Sequence, residues 1–161
     1  MAGLEYRGPF LLLFAVNQQL DTLLTRAMAD APLRPSEFAV YSVLRLVQPT
    51  TPSELAATLG LRATTMSSQL VKMADAGHLE RIRNPRDGRS RLISLTPAGV
   101  AATEGCFPAF GQAIRSFQEH LTLPERALLE ALEAASTALT AATDEIGSAD
   151  PGSQSPDEPE A

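Results

Sequence analysis

The chain has 161 residues, 44% of them hydrophobic, which suits one folded domain with a modest core. Thirteen basic residues against 19 acidic ones leave a net charge of −6. A single cysteine, Cys106, excludes an internal disulfide and fits a reducing compartment, and two histidines (His78, His120) do not make up a structural zinc site.

The stretch "PFLLLFAV" at residues 9–16 is too short to span a bilayer, which needs about 20 apolar residues. It also reads poorly as a signal peptide, because Glu5 stands beside Arg7 and a polar run separates it from small residues. The expected location is therefore the cytoplasm. Leu13, Val16, Leu20, Leu24 and Ala27 continue at steps of three and four, a buried helical stripe on a helix near residues 8–30. After the break at "DAPLRP", Phe38, Tyr41, Leu44 and Val47 restore helical spacing.

A short helix follows. Thr51 and Glu54 spell a capping box around Pro52, and Gly60 closes the helix. The next begins at "RATTMSSQL", with Met66, Leu70 and Met73 on one face. Arg62, Thr64, Thr65, Ser67, Ser68 and Lys72 supply its polar side, and Gly77 ends it. Two helices joined by a tight turn fit a helix-turn-helix, whose small hydroxyl side chains permit close approach to phosphates and base edges. A hydroxyl-rich solvated face in an ordinary helical bundle has the same pattern.

Then "HLERIRN", "PRDG" and "RSRLISLT" read as strand, turn and strand, with Pro85 and Gly88 turning the chain and Ile93 and Leu95 facing a core. Residues 61–92 hold seven bases against three acids, a local charge of +4 inside an acidic chain. A basic hairpin behind a helix-turn-helix is a winged helix, and its arginines suit a narrow minor groove. Thr96 and Pro97 open a helix expected to bend at Pro108, and Thr122 with Glu125 opens a last one. In that last helix Leu128, Leu129, Leu132, Ala135 and Leu139 share a face. The tail from residue 147 to 161 has four acids and no bases, the composition of disorder.

The run "GHLERIRNPRDGRSRLISLTPAG" resembles the MarR family of winged-helix transcription regulators, over about residues 10–146. Gly77, Glu80, Arg81, Asp87, Arg89, Leu95, Thr96 and Gly99 carry the match. Three positions depart from it: His78 stands in a usually apolar place, Arg62 in a usually polar cap, and Ala63 where proline is common. The resemblance implies a mainly α fold with a small β-hairpin wing. It divides the chain into a dimerisation helix (1–30), a DNA-binding lobe (31–96), C-terminal dimerisation helices (97–146) and the acidic tail (147–161).

It further implies a homodimer on a pseudo-palindrome of double-stranded DNA, with Arg86, Asp87, Arg89 and Arg91 in the wing. Asp87 would hold a neighbouring arginine, and Arg89 would enter the minor groove. Family members typically repress nearby genes and are released by a small, often aromatic, effector or by cysteine oxidation. The redox-sensing members carry their cysteine near the N-terminus, so Cys106 reads as a small buried hydrophobe. Phe14, Asn17, Tyr41 and Arg45 are candidates to line an effector pocket. No cofactor or metal is implied. An interaction module that kept the fold without DNA binding is the alternative, compatible with the overall acidity. No nucleophile–base pairing recommends an enzyme.

Overall fold

The structure, a computed structural model, describes residues 8–148. The element order is α1 (Pro9–Ala27), α2 (Pro35–Val47), α3 (Pro52–Thr58), α4 (Ala63–Asp75), β1 (Leu79–Arg83), β2 (Arg91–Leu95), α5 (Pro97–His120) and α6 (Glu125–Ser148). The chain divides after Ser116 into two units. The fold is mainly helical with one two-stranded antiparallel hairpin, as the sequence predicts.

The core belongs to the first unit. Leu44 of α2, Leu55 of α3, Met66 and Met73 of α4, Ile93 of β2, and Thr103 and Cys106 of α5 have fully buried side chains. Each fully buried large apolar side chain contributes about 1.5–3 kcal/mol relative to exposure. Phe38 adds ring contacts from α2 to Phe107 and Phe110 of α5, at centroid distances of 5.9 and 4.9 Å.

Local chemistry sets the boundaries. Thr51 Oγ1 accepts from the Glu54 N–H at 3.2 Å, and the Glu54 carboxylate accepts from the Thr51 N–H at 2.8 Å, completing the predicted capping box of α3. Those contacts, with the Thr50 and Thr51 hydroxyls donating as well, hold the Glu54 carboxyl below its ordinary pKa. Gly60 and Gly77 stand at φ +62° and +72° just past α3 and α4. At each, the glycine N–H and that of the following residue bond back to the last turn, a Schellman closure that favours glycine. The turn between α3 and α4 is therefore tight. Thr96 opens α5 by accepting from the Gly99 N–H at 3.1 Å while its hydroxyl donates to the Gly77 carbonyl.

Several boundaries differ from the sequence reading. Helix α1 ends at Ala27, before the predicted residue 30, and the chain then turns at a buried Met28. Its predicted stripe is not fully buried within the chain: Val16 and Leu20 are 45% and 51% exposed, and Leu13, Leu24 and Ala27 are half-buried. Periodicity reports that a face is apolar, not what covers it. Val47, in step with Phe38, Tyr41 and Leu44, is exposed at the last turn of α2 while those three are buried. Helix α5 does run through Pro108 as one element, as the sequence predicts. Helix α6 starts at Glu125, so Thr122 is not its cap; the Glu125 carboxylate instead accepts from the Gln118 amide at 3.3 Å. It continues through Ser148, past the predicted start of the tail at 147. Residues 1–7 and 149–161 of the predicted segments lie outside the described residues.

Candidate nucleic-acid interface

The hairpin is anchored by one strand and presents the other. In β2, Ile93 and Leu95 are buried, as expected from their alternation, whereas β1 exposes all but Leu79. Register pairs Leu79 with Leu95, Arg81 with Ile93 and Arg83 with Arg91. Beyond the hairpin, Thr50 exchanges backbone hydrogen bonds with Ile93 at 2.8 and 3.3 Å. The Gln48 side-chain oxygen accepts from the Leu95 N–H at 2.8 Å and from the Ser94 hydroxyl at 3.1 Å. The segment leading into α3 thus holds β2 in place.

The base of the wing is equally fixed. Tyr41 Oη lies 3.0 Å from His78 Nδ1, and the His78 carbonyl accepts from the Thr96 N–H at 3.0 Å. Gly99 packs against that carbonyl so closely that a Cβ would sit 2.4 Å from it. Burial, with the Glu37 carboxylate nearby, pushes the Tyr41 phenol above its ordinary pKa.

At the tip, Asn84 and Asp87 each accept a backbone N–H two residues on, from Arg86 at 2.9 Å and Arg89 at 3.0 Å. The Ser90 hydroxyl accepts from the Asn84 amide at 2.8 Å. These Asx turns make the loop self-supporting. Asp87 therefore holds Arg89 through the backbone and leaves its guanidinium to other partners. Gly88 sits in this turn without a positive φ.

The predicted residues fall into three groups. Arg86, Asp87, Arg89 and Arg91 share the exposed wing with Arg83. Arg62 is the N-cap of α4 without a side-chain cap bond, and Thr64, Thr65, Ser67, Ser68 and Lys72 are exposed along that helix. Arg83 directly faces Arg91 across the hairpin, an arrangement that is unfavourable between like charges. Among the described residues, none of the Arg62, Arg83, Arg86, Arg89 or Arg91 guanidinium groups has an ion-pair partner. Arg45 and Arg126 do pair, with Glu104 (2.7 Å) and Glu130 (2.8 Å).

The third group is not brought together. Phe14 is exposed on α1, and Asn17 borders a groove of about 390 Å³ with Leu20, Leu24 and Pro35. Tyr41 lines a different groove of about 190 Å³ with His78, Gln69, Lys72 and Glu37. Arg45 is engaged by Glu104 and lies over the Phe107 ring, 5.5 Å from its centroid. Cys106 is buried, its thiol donating to the Ala102 carbonyl at 3.4 Å, and burial raises its pKa. Such a thiol is a poor nucleophile. Sequence reasoning missed Gln48, Thr50, Asn84 and Ser90. Only Asn84 carried a legible signal, the Asn-Pro start of a turn.

The MarR family matches residues 31–90, from the start of α2 through the wing turn. Over 122 residues the chain is 33% identical to the multiple antibiotic resistance protein MarR of Salmonella typhimurium, covering 75% of this chain and 85% of that one. Among solved structures it resembles a mutant MarR from Escherichia coli complexed with operator DNA, at 31% identity and a TM-score of 0.69. That likeness covers 77% of this chain and 89% of the other. BpsR of Bordetella bronchiseptica, whose structure concerns regulation of DNA binding by 6-hydroxynicotinic acid, shares the fold at a TM-score of 0.73 and 20% identity. It covers 85% of this chain and 98% of that one. Helix pair, hairpin and these likenesses define a winged helix-turn-helix protein. The chain belongs to the MarR family of transcriptional regulators. No helix among the described residues is long and apolar enough to cross a membrane.

Proposed function

We propose that this chain is a homodimeric, sequence-specific repressor that binds a pseudo-palindromic operator and releases it on binding a small aromatic ligand. The observation that carries the DNA-binding part is the wing. An acidic chain places Arg83, Arg86, Arg89 and Arg91 on one exposed hairpin without ion-pair partners among the described residues, two of them facing each other. The proximity of like charges is relieved when phosphates lie between them. The recognition helix α4 would enter the major groove with Arg62, Thr64, Thr65, Ser67, Ser68 and Lys72, and Arg89 would enter the flanking minor groove.

Dimerisation is supported by apolar faces left open in the single chain. Phe10, Phe14, Val16 and Leu20 are exposed on α1, and Leu129, Leu132, Leu139 and Ile146 on α6. Patches of this kind mark interaction sites in natural proteins. The division of labour is then α1 and the C-terminal helices for the dimer and the lobe around residues 31–96 for DNA. Lys72 supports a route to regulation, because it lies on α4 and also borders the groove of Tyr41 and His78. An aromatic acid seated there would engage the Lys72 ammonium and withdraw it from phosphate.

The test is a mobility-shift titration with DNA flanking the chain's own gene, across a salt series, with and without phenolic acids. The wild type binds with a steep negative salt slope, and Arg89→Ala binds severely more weakly with its slope reduced by about one. Wild-type affinity in Arg89→Ala overturns the wing assignment. No shift even at low salt favours a winged-helix interaction module instead.

A further inference from the structure

Helix α4 carries more than the hydroxyl groups. Its buried face is Met66, Leu70 and Met73. Opposite that face, at steps of four, three and four, run Thr64, Ser68, Val71 and Asp75. All four are exposed, and Val71 leaves 53% of its surface uncovered on an otherwise polar row. The row contains no arginine, lysine, asparagine or glutamine. Those are the side chains that make bidentate hydrogen bonds to guanine or adenine in the major groove. Gln69 and Lys72 lie to one side, along the groove of Tyr41 and His78.

What the row offers is a methyl surface and acceptors. Val71 and the Thr64 methyl are apolar, and Asp75 only accepts. Ser68 donates its hydroxyl proton to the Thr65 carbonyl at 2.8 Å, so its oxygen faces outward as an acceptor. A thymine–adenine pair presents a 5-methyl group and an N6 amino donor at its major-groove edge. A guanine presents two acceptors, which a carboxylate repels, but its cytosine presents an N4 amino donor that a carboxylate accepts. What sets the T·A pair apart for this row is therefore the methyl group.

We propose that Val71 packs on the 5-methyl group of a thymine in the operator, so that the recognition helix selects A·T pairs by shape and apolar contact. This rests on the DNA-binding reading above and adds the base class to it.

The experiment uses the full chain. Bound duplexes are selected from a random pool, and each thymine of the selected sequence is then replaced singly by uracil, which removes only the methyl group. At the contacted position, uracil weakens wild-type binding about fourfold, the worth of one buried methyl. Val71→Ala binds the thymine and uracil duplexes equally, while its thermal unfolding and its affinity for unrelated DNA stay at wild-type values. The proposal is overturned if uracil is without effect at every position, or if Val71→Ala keeps the full discrimination. A pool that yields no consensus fails at the DNA-binding reading itself and takes this proposal with it.

Discussion

Helices α1 and α2 start alike, each with proline at its first position and an apolar run behind it, yet they meet different surroundings. Helix α2 fully buries Phe38, Val40, Tyr41 and Leu44 against α3, β2 and α5, whereas α1 has no fully buried residue and only half-buries Leu13, Leu23, Leu24 and Ala27. Both patterns are apolar at helical steps, so the pattern alone does not separate a core helix from one that the single chain leaves largely exposed. The difference is one of partners. Within the lobe each large side chain is enclosed by several elements; on α1 Phe10, Leu11, Leu12, Phe14, Val16 and Leu20 are exposed.

Replacing one leucine in each helix breaks this comparison most directly. Leu44→Ala opens a cavity in a fully enclosed site and is expected to cost about 2–5 kcal/mol in urea denaturation. Leu20→Ala, at a half-exposed position, is expected to stay within about 0.5 kcal/mol at concentrations where the chain is monomeric. Equal losses in the two variants would mean that α1 is covered within the single chain.

Gly99→Ala comes next, because it attacks the joint between wing and α5. The added Cβ would lie 2.4 Å from the His78 carbonyl oxygen, a backbone atom that cannot swing aside. Displacing the base of the hairpin is expected to cost about 1–3 kcal/mol, read as a lowered unfolding midpoint. Thr51→Ala is milder. Loss of the α3 cap is expected to cost about 1 kcal/mol. The same box sets a pH dependence. The folded-state pKa of Glu54 is depressed, so its contribution is complete above the ordinary carboxylate value near 4.5 and fades as pH falls through the lower folded value. The stability gap between wild type and Glu54→Gln is therefore expected to shrink in acid and to hold steady near neutrality.

These cases show what the sequence makes legible. Capping boxes and closing glycines are local chemistry, so α3, the ends of α4 and the start of α5 could be read directly. Ile93 and Leu95 declared the buried side of β2 through a period of two. Hidden were contacts between distant segments: Gln48 to β2, Thr50 to Ile93, and Tyr41 to His78, separated by 37–47 residues. Nothing local marks such partners. The effector candidates were chosen by residue type and approximate helix, and in the single chain Asn17 and Tyr41 border different grooves, because which groove a side chain lines depends on how its helix turns.

Gly88→Ala sharpens the comparison at its quiet end. The sequence assigns Gly88 the turning of the wing, yet its φ is not positive and a Cβ there would meet nothing within 4 Å. The turn is held instead by Asn84, Asp87 and Ser90 through their side-chain hydrogen bonds. Alanine fits that conformation and restricts the unfolded chain, so stability is expected to hold or rise by no more than about 1 kcal/mol. Asp87→Ala, by contrast, removes the acceptor of the Arg89 N–H and loosens the tip, read as faster amide exchange at Arg89 with the core unchanged. A Gly88→Ala variant destabilised beyond 1 kcal/mol would return the turn to glycine. Like α1, the wing tip contributes little to the core; its residues matter for what the exposed arginines meet.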